Sequence, residues 1–312
     1  MTTALPLLRD KLRPPEVPKA RLLACVGLIS DTHYPERLAV LPPVVGEIFR
    51  GVNLVLHAGD VGKLALLDQL SAVVRGVPVI AVHGNDERFS EAQRELPYQQ
   101  IISIGGYRIL LTHGYYPDID QEMESRKSDE WAPKLDRRAA FGHGAGAKIV
   151  VYGHTHIPTD VPHQGVRLIN PGALASGNFT TRQFRKTVAL LYLRDDGTPF
   201  TVHVDLAQHD RAWTPHIDWA GGFRAAIEQT QESIMAPGMG DPWSSLRATA
   251  RALGPDVFES VRDALMAVCH RCWSGEQQHI TLDDLAGGIE REPSLSPEAR
   301  IRLLASLHAS SG

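Results

Sequence analysis

Four histidines, two aspartates and one asparagine lie in five short motifs, each at the carboxyl end of an apolar run. The motifs are Asp31-Thr32-His33, Gly59-Asp60, Gly84-Asn85, His113-Gly114 and Gly153-His154-Thr155-His156. This mixture of carboxylate, amide and imidazole ligands suits borderline divalent ions such as Mn²⁺, Fe²⁺, Zn²⁺, Co²⁺ or Ni²⁺, and does not suit calcium. Seven ligands are too many for one tetrahedral ion, so the set predicts two adjacent ions that share a carboxylate. The positive charge left on such a pair favours a phosphate anion.

The segments that must position these residues are predicted to be buried β-strands. Each motif follows a short run rich in Val, Ile and Leu, as strands covered on both faces do. The predicted strands are residues 22–30, 52–57, 77–83, 107–112 and 148–152. Helical spacing at 40–50 and 63–75 predicts crossover helices and parallel pairing. We therefore expect five strand ends to bring the ligands to one edge.

In this order, the motifs D-x-H, GD, GN, H and GH-x-H resemble those of the calcineurin-like metallophosphoesterases, across roughly residues 22–206. The Asn85-Asp86 pair is similar to their small phosphodiesterase branch, whereas another branch has Asn-His there. Asn170-Pro171-Gly172-Ala173 resembles the family's NPG turn beside the site. The resemblance implies an α/β fold, a four-layer αββα sandwich of two mixed sheets.

The resemblance also implies two divalent transition-metal ions, with manganese preferred and iron, zinc, nickel or cobalt as alternatives. It implies that one ion is bound by Asp31, His33 and His156. It implies that the other is bound by Asn85, His113 and His154. Asp60 would bridge the two, and a hydroxide held between them would attack phosphorus in line.

Asp86 and His57 are further candidates for the catalytic machinery. Asp86 stands where many relatives have a histidine that helps the leaving oxygen. Two nearby cations should lower the pKa of the Asp86 carboxyl, so we expect a poor general acid there. The alternative is that Asp86 only holds the turn at Gly84-Asn85. His57 is expected either to orient a metal ligand through a hydrogen bond or to be an ordinary strand histidine.

The segment 115–146 is long for a strand connection and begins directly after His113, at the rim of the predicted site. Long loops on a rigid frame often carry recognition, so Tyr115, Tyr116 and Arg126 are candidate substrate contacts. The alternative is that this charged segment is simply a solvated helix.

Beyond the GH-x-H motif, residues 166–169, 187–193 and 200–206 predict a second, largely antiparallel sheet. The remaining chain predicts helices, at 255–273, after a cap at Thr281 and from Pro297. We thus divide the chain into an N-terminal arm at 1–21, a metallophosphoesterase domain at 22–208 and an all-helical accessory domain at 209–312. The accessory domain would be a lid, a surface for a homo-oligomer or a dock for a partner. Cys269 and Cys272 are expected to be ordinary helix residues, not a zinc or redox pair.

Composition favours a cytoplasmic enzyme. The formal net charge of −4 indicates no dedicated nucleic-acid binder, although a local groove stays possible. No apolar run is long enough to span a membrane, and three cysteines cannot all form disulfides.

We therefore expect a two-metal phosphodiesterase that acts on small, nucleotide-like diesters. One alternative is a catalytically weak scaffold that keeps the fold for protein interaction. The other is a nuclease that acts on polymeric DNA or RNA.

Overall fold

The computed structural model describes residues 8–12, 20–87 and 90–308. The chain forms two compact units, one made of residues 1–177 and 183–231, the other of residues 178–182 and 232–312. Most of the predicted N-terminal arm lies outside the described residues. Its described part includes a short helix whose Leu12 is buried among the apolar residues of the first unit.

The strands alternate with helices through the first unit, and the second unit is mainly helical. In chain order the strands are β1 (Leu22–Ile29), β2 (Leu54–His57), β3 (Val79–Ala81), β4 (Gln99–Ile104), β5 (Tyr107–Thr112), β6 (Ile149–Val151), β7 (Thr159–His163), β8 (Val166–Asn170), β9 (Thr181–Gln183), β10 (Thr187–Arg194), β11 (Phe200–Asp205) and β12 (Gln231–Ser233). The helices are α1 (Leu8–Leu12), α2 (Val44–Ile48), α3 (Ala65–Val73), α4 (Glu91–Glu95), α5 (Ile119–Lys127), α6 (Ala132–Gly144), α7 (Gly222–Glu228), α8 (Gly240–Leu253), α9 (Pro255–Ser274), α10 (Leu282–Arg291) and α11 (Pro297–His308).

Two five-stranded mixed sheets form the centre of the first unit. The first has the order β11-β10-β1-β2-β3, with β1, β2 and β3 parallel and β10 and β11 antiparallel. The second has the order β4-β5-β6-β8-β7, with β5, β6 and β8 parallel. Strands β9 and β12 pair with each other as a separate two-stranded sheet.

The strands that carry the motifs are divided between these two sheets, which corrects the expectation of a single edge. Strand β4, which the sequence analysis missed, pairs with β5 as a hairpin whose turn is Gly105-Gly106. Both glycines have positive φ, as a tight hairpin turn requires. This hairpin starts the second sheet, so β5 and β6 belong there. The later strands β10 and β11, expected in a second sheet, instead extend the first sheet beside β1.

Apolar packing makes four layers of this unit. Between the sheets lie buried side chains from both, among them Val26, Leu28, Leu56, Leu111, Ile169 and Leu191. The outer face of the first sheet is covered by α2 and α3, and that of the second by α6 and α7. The predicted αββα sandwich is therefore confirmed.

The second unit packs α8 to α11 around its own apolar core. Buried members of this core include Leu246, Val261, Leu265, Leu285 and Leu303. Thr281 caps α10 as predicted, in a reciprocal capping box with Asp284, and the helix runs on through Gly287 and Gly288 to Arg291. Cys269 and Cys272 are buried free thiols on α9.

The main part of the helical unit begins at residue 232, within β12, whereas the predicted accessory domain begins at residue 209. The intervening helix α7 belongs to the first unit because Phe223 and Ala226 fill the core on the outer face of the second sheet. Over the described residues, no helix combines the length and apolar composition that crossing a bilayer requires. The cytoplasmic location stays a prediction.

Candidate metal centre

Four of the predicted ligands form one tight cluster where the two sheets meet. Asp31, His33, Asp60 and His156 each offer a ligand atom, and these atoms all lie within 4.8 Å of one another. All four residues are buried. Backbone hydrogen bonds tie their loops together, since the Asp31 and His33 amides donate to the carbonyls of Gly59 and Asp60.

Of the remaining predicted ligands, His113 contacts Asp60, and Asn85 and His154 lie against His113. Oδ2 of Asp60 is 3.3 Å from Nε2 of His113, and that nitrogen is 3.1 Å from Oδ1 of Asn85. The same Oδ2 is 3.7 Å from Nε2 of His33. The His154 ring meets the His113 ring edge-on, with 5.1 Å between centroids. The Asp60 carboxylate therefore lies between His33 and His113, which belong to the two different predicted ligand sets.

The backbone at these positions is strained. Seven non-glycine residues among those described have positive φ, and five of them are predicted ligands: Asp31, His33, Asp60, His154 and His156. Such conformations cost of order 1–3 kcal/mol each and persist where the surrounding structure enforces them, most often at functional sites. The concentration of strain at this one place is thus independent support for a functional site.

The charges of the cluster are strongly coupled. Burial raises the pKa of the Asp31 carboxyl, but the adjacent His156 outweighs this and lowers it to about 2. Burial likewise opposes ionisation of Asp60, while His113 and His33 hold its pKa well below the usual range. Burial lowers the pKa of His113, and the Asp60 charge overcomes this and raises it to about 10.

Three of the histidines are fixed in one arrangement. Nδ1 of His113 is 2.8 Å from the carbonyl of Ala58, and Nδ1 of His156 is 3.0 Å from that of Ala175. A carbonyl only accepts, so Nδ1 carries a hydrogen, and Nε2 is the nitrogen that an ion would bind in place of a proton. Nδ1 of His33 lies 2.7 Å from a carboxylate oxygen of Asp86. Second partners of this kind are what metal-binding histidines require.

Asp86 contacts ligands and a guanidinium. Its Oδ2 lies 2.6 Å from Nη2 of Arg37, while Arg37 also donates to the carbonyls of Ser176 and Gly177. Burial and the charge of Asp60 raise the pKa of Asp86, but His33 and Arg37 outweigh them, and the pKa is lowered. The lowered pKa favours the ionised form of the Asp86 carboxyl.

His57 is fully buried at the end of β2 and contacts Thr32, not a predicted ligand. Its Nε2 is 3.0 Å from Oγ1 of Thr32, whose hydroxyl also lies 3.0 Å from the carbonyl of Val61. Burial lowers the pKa of His57 to about 4. His57 therefore supports the loops that carry Asp31 and Asp60, and does not reach the reacting centre.

The candidate substrate contacts lie at the edge of the cluster. The Tyr115 ring is 5.4 Å from the His154 ring, and the Tyr116 ring meets the edge of His83 at 4.9 Å. Arg126 is exposed on α5. Burial is the main cause of the lowered pKa of His154, and the charge of Arg126 is a smaller cause in the same direction. Tyr115 thus lies against a predicted ligand, and Tyr116 lies against Tyr115 and His83.

Two buried acids at the centre were missed by the sequence analysis. Glu87 accepts hydrogen bonds from the amides of Gly62 at 2.7 Å and Gly84 at 2.5 Å, which joins the loops of Asp60 and Asn85. Burial, followed by the Asp60 charge, raises its pKa to about 7. The other is Glu122 on α5, whose Oε1 lies 3.1 Å from Nε2 of His154. Glu87 could have been found from the sequence because it lies two residues after the Gly84-Asn85 motif.

The NPG turn predicted beside the site supports the last motif. Nδ2 of Asn170 donates to the carbonyl of Gly153 at 2.9 Å and to Oγ1 of Thr155 at 3.0 Å, while its Oδ1 accepts from the Gly172 amide. The loop that carries His154 and His156 is thereby held against β8.

This donor set fits divalent transition-metal ions. Convergent, buried carboxylates and imidazoles with fixed tautomers are the ligands that such ions prefer. The residues that would hold one ion are Asp31, His33, Asp60 and His156. Those that would hold a second are Asp60, Asn85, His113 and His154.

Residues 25–196 match the family model described as the calcineurin-like phosphoesterase superfamily domain. A probable metallophosphoesterase of Methanothermobacter thermautotrophicus is 33% identical over 149 residues, which are 47% of this chain and 76% of that protein. A phosphodiesterase of Methanocaldococcus jannaschii is 24% identical over 160 residues, which are 47% of this chain and 82% of that protein.

Two solved structures match part of this chain. A predicted phosphoesterase from Streptococcus pneumoniae TIGR4 has 22% identity and a TM-score of 0.44, covering 61% of this chain and 92% of that one. Vacuolar Protein Sorting 29 from Cryptosporidium parvum has 20% identity and a TM-score of 0.43, covering 60% of this chain and 99% of that one.

Proposed function

Because the chain belongs to the calcineurin-like phosphoesterase superfamily, we propose that it is a metal-dependent phosphodiesterase that hydrolyses small, nucleotide-like diesters. The observation that carries this proposal is the position of the Asp60 carboxylate, 3.3 Å from His113 and 3.7 Å from His33. A shared carboxylate between two ligand sets is the arrangement that a two-metal site needs.

The chain's own residues would bind and orient the ions. Asp31, His33 and His156 would hold one, Asn85, His113 and His154 the other, and Asp60 both. Two divalent ions, with manganese preferred, would activate water and stabilise the negative charge that develops on the phosphoryl oxygens. Carbonyl contacts at Nδ1 of His113 and His156 leave Nε2 as the nitrogen that would bind an ion.

The charges around the site favour a diester monoanion over a monoester dianion. Arg37 is already paired with Asp86, and Arg137 lies 3.0 Å from Glu122. These two guanidinium groups therefore add little uncompensated positive charge for a second phosphate charge. Asp86 has a lowered pKa and is ionised at neutral pH, so it is a poor acid for the leaving oxygen. Substrates whose leaving groups need no protonation should react fastest.

Tyr115, Tyr116 and Arg126 would contact the non-reacting part of the substrate. The two aromatic rings pack on each other at 5.2 Å and on the histidines at the edge of the cluster. Aromatic faces of this kind suit stacking by a nucleobase. The helical unit remains a candidate surface for a homo-oligomer.

The test is a comparison of kcat/KM for a bis-nitrophenyl diester and the nitrophenyl monoester, on metal-stripped protein reconstituted with Mn²⁺. Cyclic nucleotides, DNA and RNA complete the substrate panel, and Asp60→Asn is the inactive control. We expect the diester to be preferred and the control to lose activity. A clear monoester preference contradicts the diester assignment. Rapid cleavage of DNA or RNA alone indicates a nuclease, and metal uptake without any hydrolysis indicates a scaffold.

A further inference from the structure

Glu122 is a buried charge outside the predicted ligand set. It lies on α5 and is only 2% exposed. A carboxylate buried this deeply is costly unless other groups pair with it, so its partners indicate its role.

One oxygen of Glu122 is held by α6. Its Oε2 lies 3.0 Å from Nη1 of Arg137. Arg137 also donates to the carbonyl of Gly114, to that of Tyr115 at 3.1 Å and to that of Asp118 at 2.9 Å. The guanidinium therefore fixes the loop from Gly114 to α5 and, with it, the place of the carboxylate. The position of Glu122 is set by buried contacts and not by solvent.

The other oxygen of Glu122 faces His154. Its Oε1 is 3.1 Å from Nε2 of that ring. The carboxylate therefore faces the Nε2 side of the ring, and Nδ1 is the ring nitrogen that Glu122 does not contact. His33, His113 and His156 have the opposite arrangement, with Nδ1 held by the protein. Among the predicted histidine ligands, His154 alone has its Nε2 turned to a carboxylate on α5.

Building on the proposed function, we propose that Glu122 is a positioning residue that orients His154 for the second ion. The contact of Oε1 with Nε2 would fix the direction of the His154 ring, and Arg137 holds the carboxylate in place. Among the described contacts, Glu122 touches no ligand of the first ion, and the contact of His154 with Asp31 is made by its backbone amide, at 3.2 Å, and not by its ring. Loss of Glu122 should therefore lower the affinity for the second ion and leave the affinity for the first ion unchanged.

The experiment measures metal binding by the full chain, not only activity. Wild-type protein, Glu122→Gln and Glu122→Ala are stripped with a chelator, checked by circular dichroism and titrated with Mn²⁺ in a calorimeter. Glu124→Gln is the matched control, because Glu124 lies on the same helix, is exposed and pairs only with Lys127 among the described residues. The amide of Glu122→Gln keeps the shape and an acceptor oxygen, so it tests partial rescue.

We expect two equivalents in wild type and in the control. Glu122→Ala should bind the first equivalent of Mn²⁺ as tightly as wild type does. Its affinity for the second equivalent should fall by about 10- to 100-fold, as happens when a metal-binding histidine loses its orienting partner. Glu122→Gln should lie between the two. The proposal is overturned if the folded variants bind the second ion as tightly as wild type does. It is also overturned if the affinities for both ions fall equally and the metal-free variants have a lower melting temperature than wild type. If wild type itself binds no ion, the proposed function fails as well; two equivalents in wild type with unchanged variants refute only the role of Glu122.

Discussion

The carboxylate of Asp86 lies 2.7 Å from Nδ1 of His33. Its second oxygen accepts a hydrogen bond from Nδ2 of Asn85 at 2.8 Å. His33 and Asn85 belong to the two different predicted ligand sets, so one carboxylate orients a ligand of each. The Asp86 amide also donates to Oδ1 of Asp60 at 3.0 Å. These contacts favour the reading in which Asp86 supports the site, and extend it beyond a single turn.

We therefore predict that Asp86→Ala lowers the affinity for each metal ion by about 10- to 100-fold, because His33 and Asn85 lose the carboxylate that orients them. Asp86→Asn should be milder, since one oxygen remains to accept from Asn85. Calorimetric titration of metal-stripped protein measures both affinities, with the exposed Asp68→Asn on α3 as control. Full metal affinity with collapsed turnover in Asp86→Asn would instead identify Asp86 as a catalytic acid.

Asp60 and His33 should differ in how much metal their loss releases. Because the Asp60 carboxylate lies between His33 and His113, Asp60→Ala should remove a ligand from both ions. His33→Ala should remove a ligand from one ion only. Elemental analysis after dialysis against Mn²⁺ gives the metal content of each variant. Equal retention of metal in the two variants would contradict a bridging role for Asp60.

The convergence of Asp31, His33, Asp60 and His156 could be predicted from the sequence because each of their motifs follows the end of a strand. The first ligand of each motif lies one to four residues beyond the end of a strand, from His113 after β5 to Asn85 after β3. Parallel strands present such residues on one side, and this holds even though the strands divide between two sheets. The division into two sheets depended on the Gly105-Gly106 hairpin, whose first strand, β4, has no regular alternation of apolar and polar residues.

The supporting acids could not be identified in the same way. Glu122 and Ser125 are buried on α5, but the helix has no apolar stripe that would show which charged residue turns inward. The partner of Glu122, His154, lies in a distant part of the sequence, and only the packing of α5 against α6 brings the two together. Contacts that depend on tertiary packing leave no periodic signal.

Gly84 tests how closely the loops of the site are packed. A Cβ at this position would collide with Oδ1 of Asp60 and would lie 2.6 Å from the Asp60 amide nitrogen. Gly84→Ala should therefore displace Asp60, reduce the metal content and destabilise the fold by about 1–3 kcal/mol. Gly144→Ala at the end of α6 is the matched control, because its Cβ would meet nothing within 4 Å. Metal analysis and thermal unfolding measure both; a fully metal-loaded Gly84→Ala would contradict the packing argument.

The last prediction concerns the dependence of stability on pH. His57 is buried, and burial lowers its pKa from 6.5 to about 4. Between these values the unfolded chain binds a proton that the folded chain does not, so acid favours unfolding. The contribution of His57 to stability is thus complete above the unfolded value and is lost as the pH falls towards about 4. The shift corresponds to about 3 kcal/mol.

His57→Gln should flatten this acid dependence because glutamine does not titrate, while its amide can still reach Oγ1 of Thr32. Burial lowers the pKa of His154 to about 4 as well, so part of the acid slope should remain in the variant. Urea unfolding of chelator-treated protein from about pH 7 to about pH 4 measures the slope, with the exposed His143→Gln on α6 as control. The variant and wild type should diverge progressively below the unfolded pKa of histidine. Parallel curves for the two proteins would mean that His57 takes up its proton without unfolding the site.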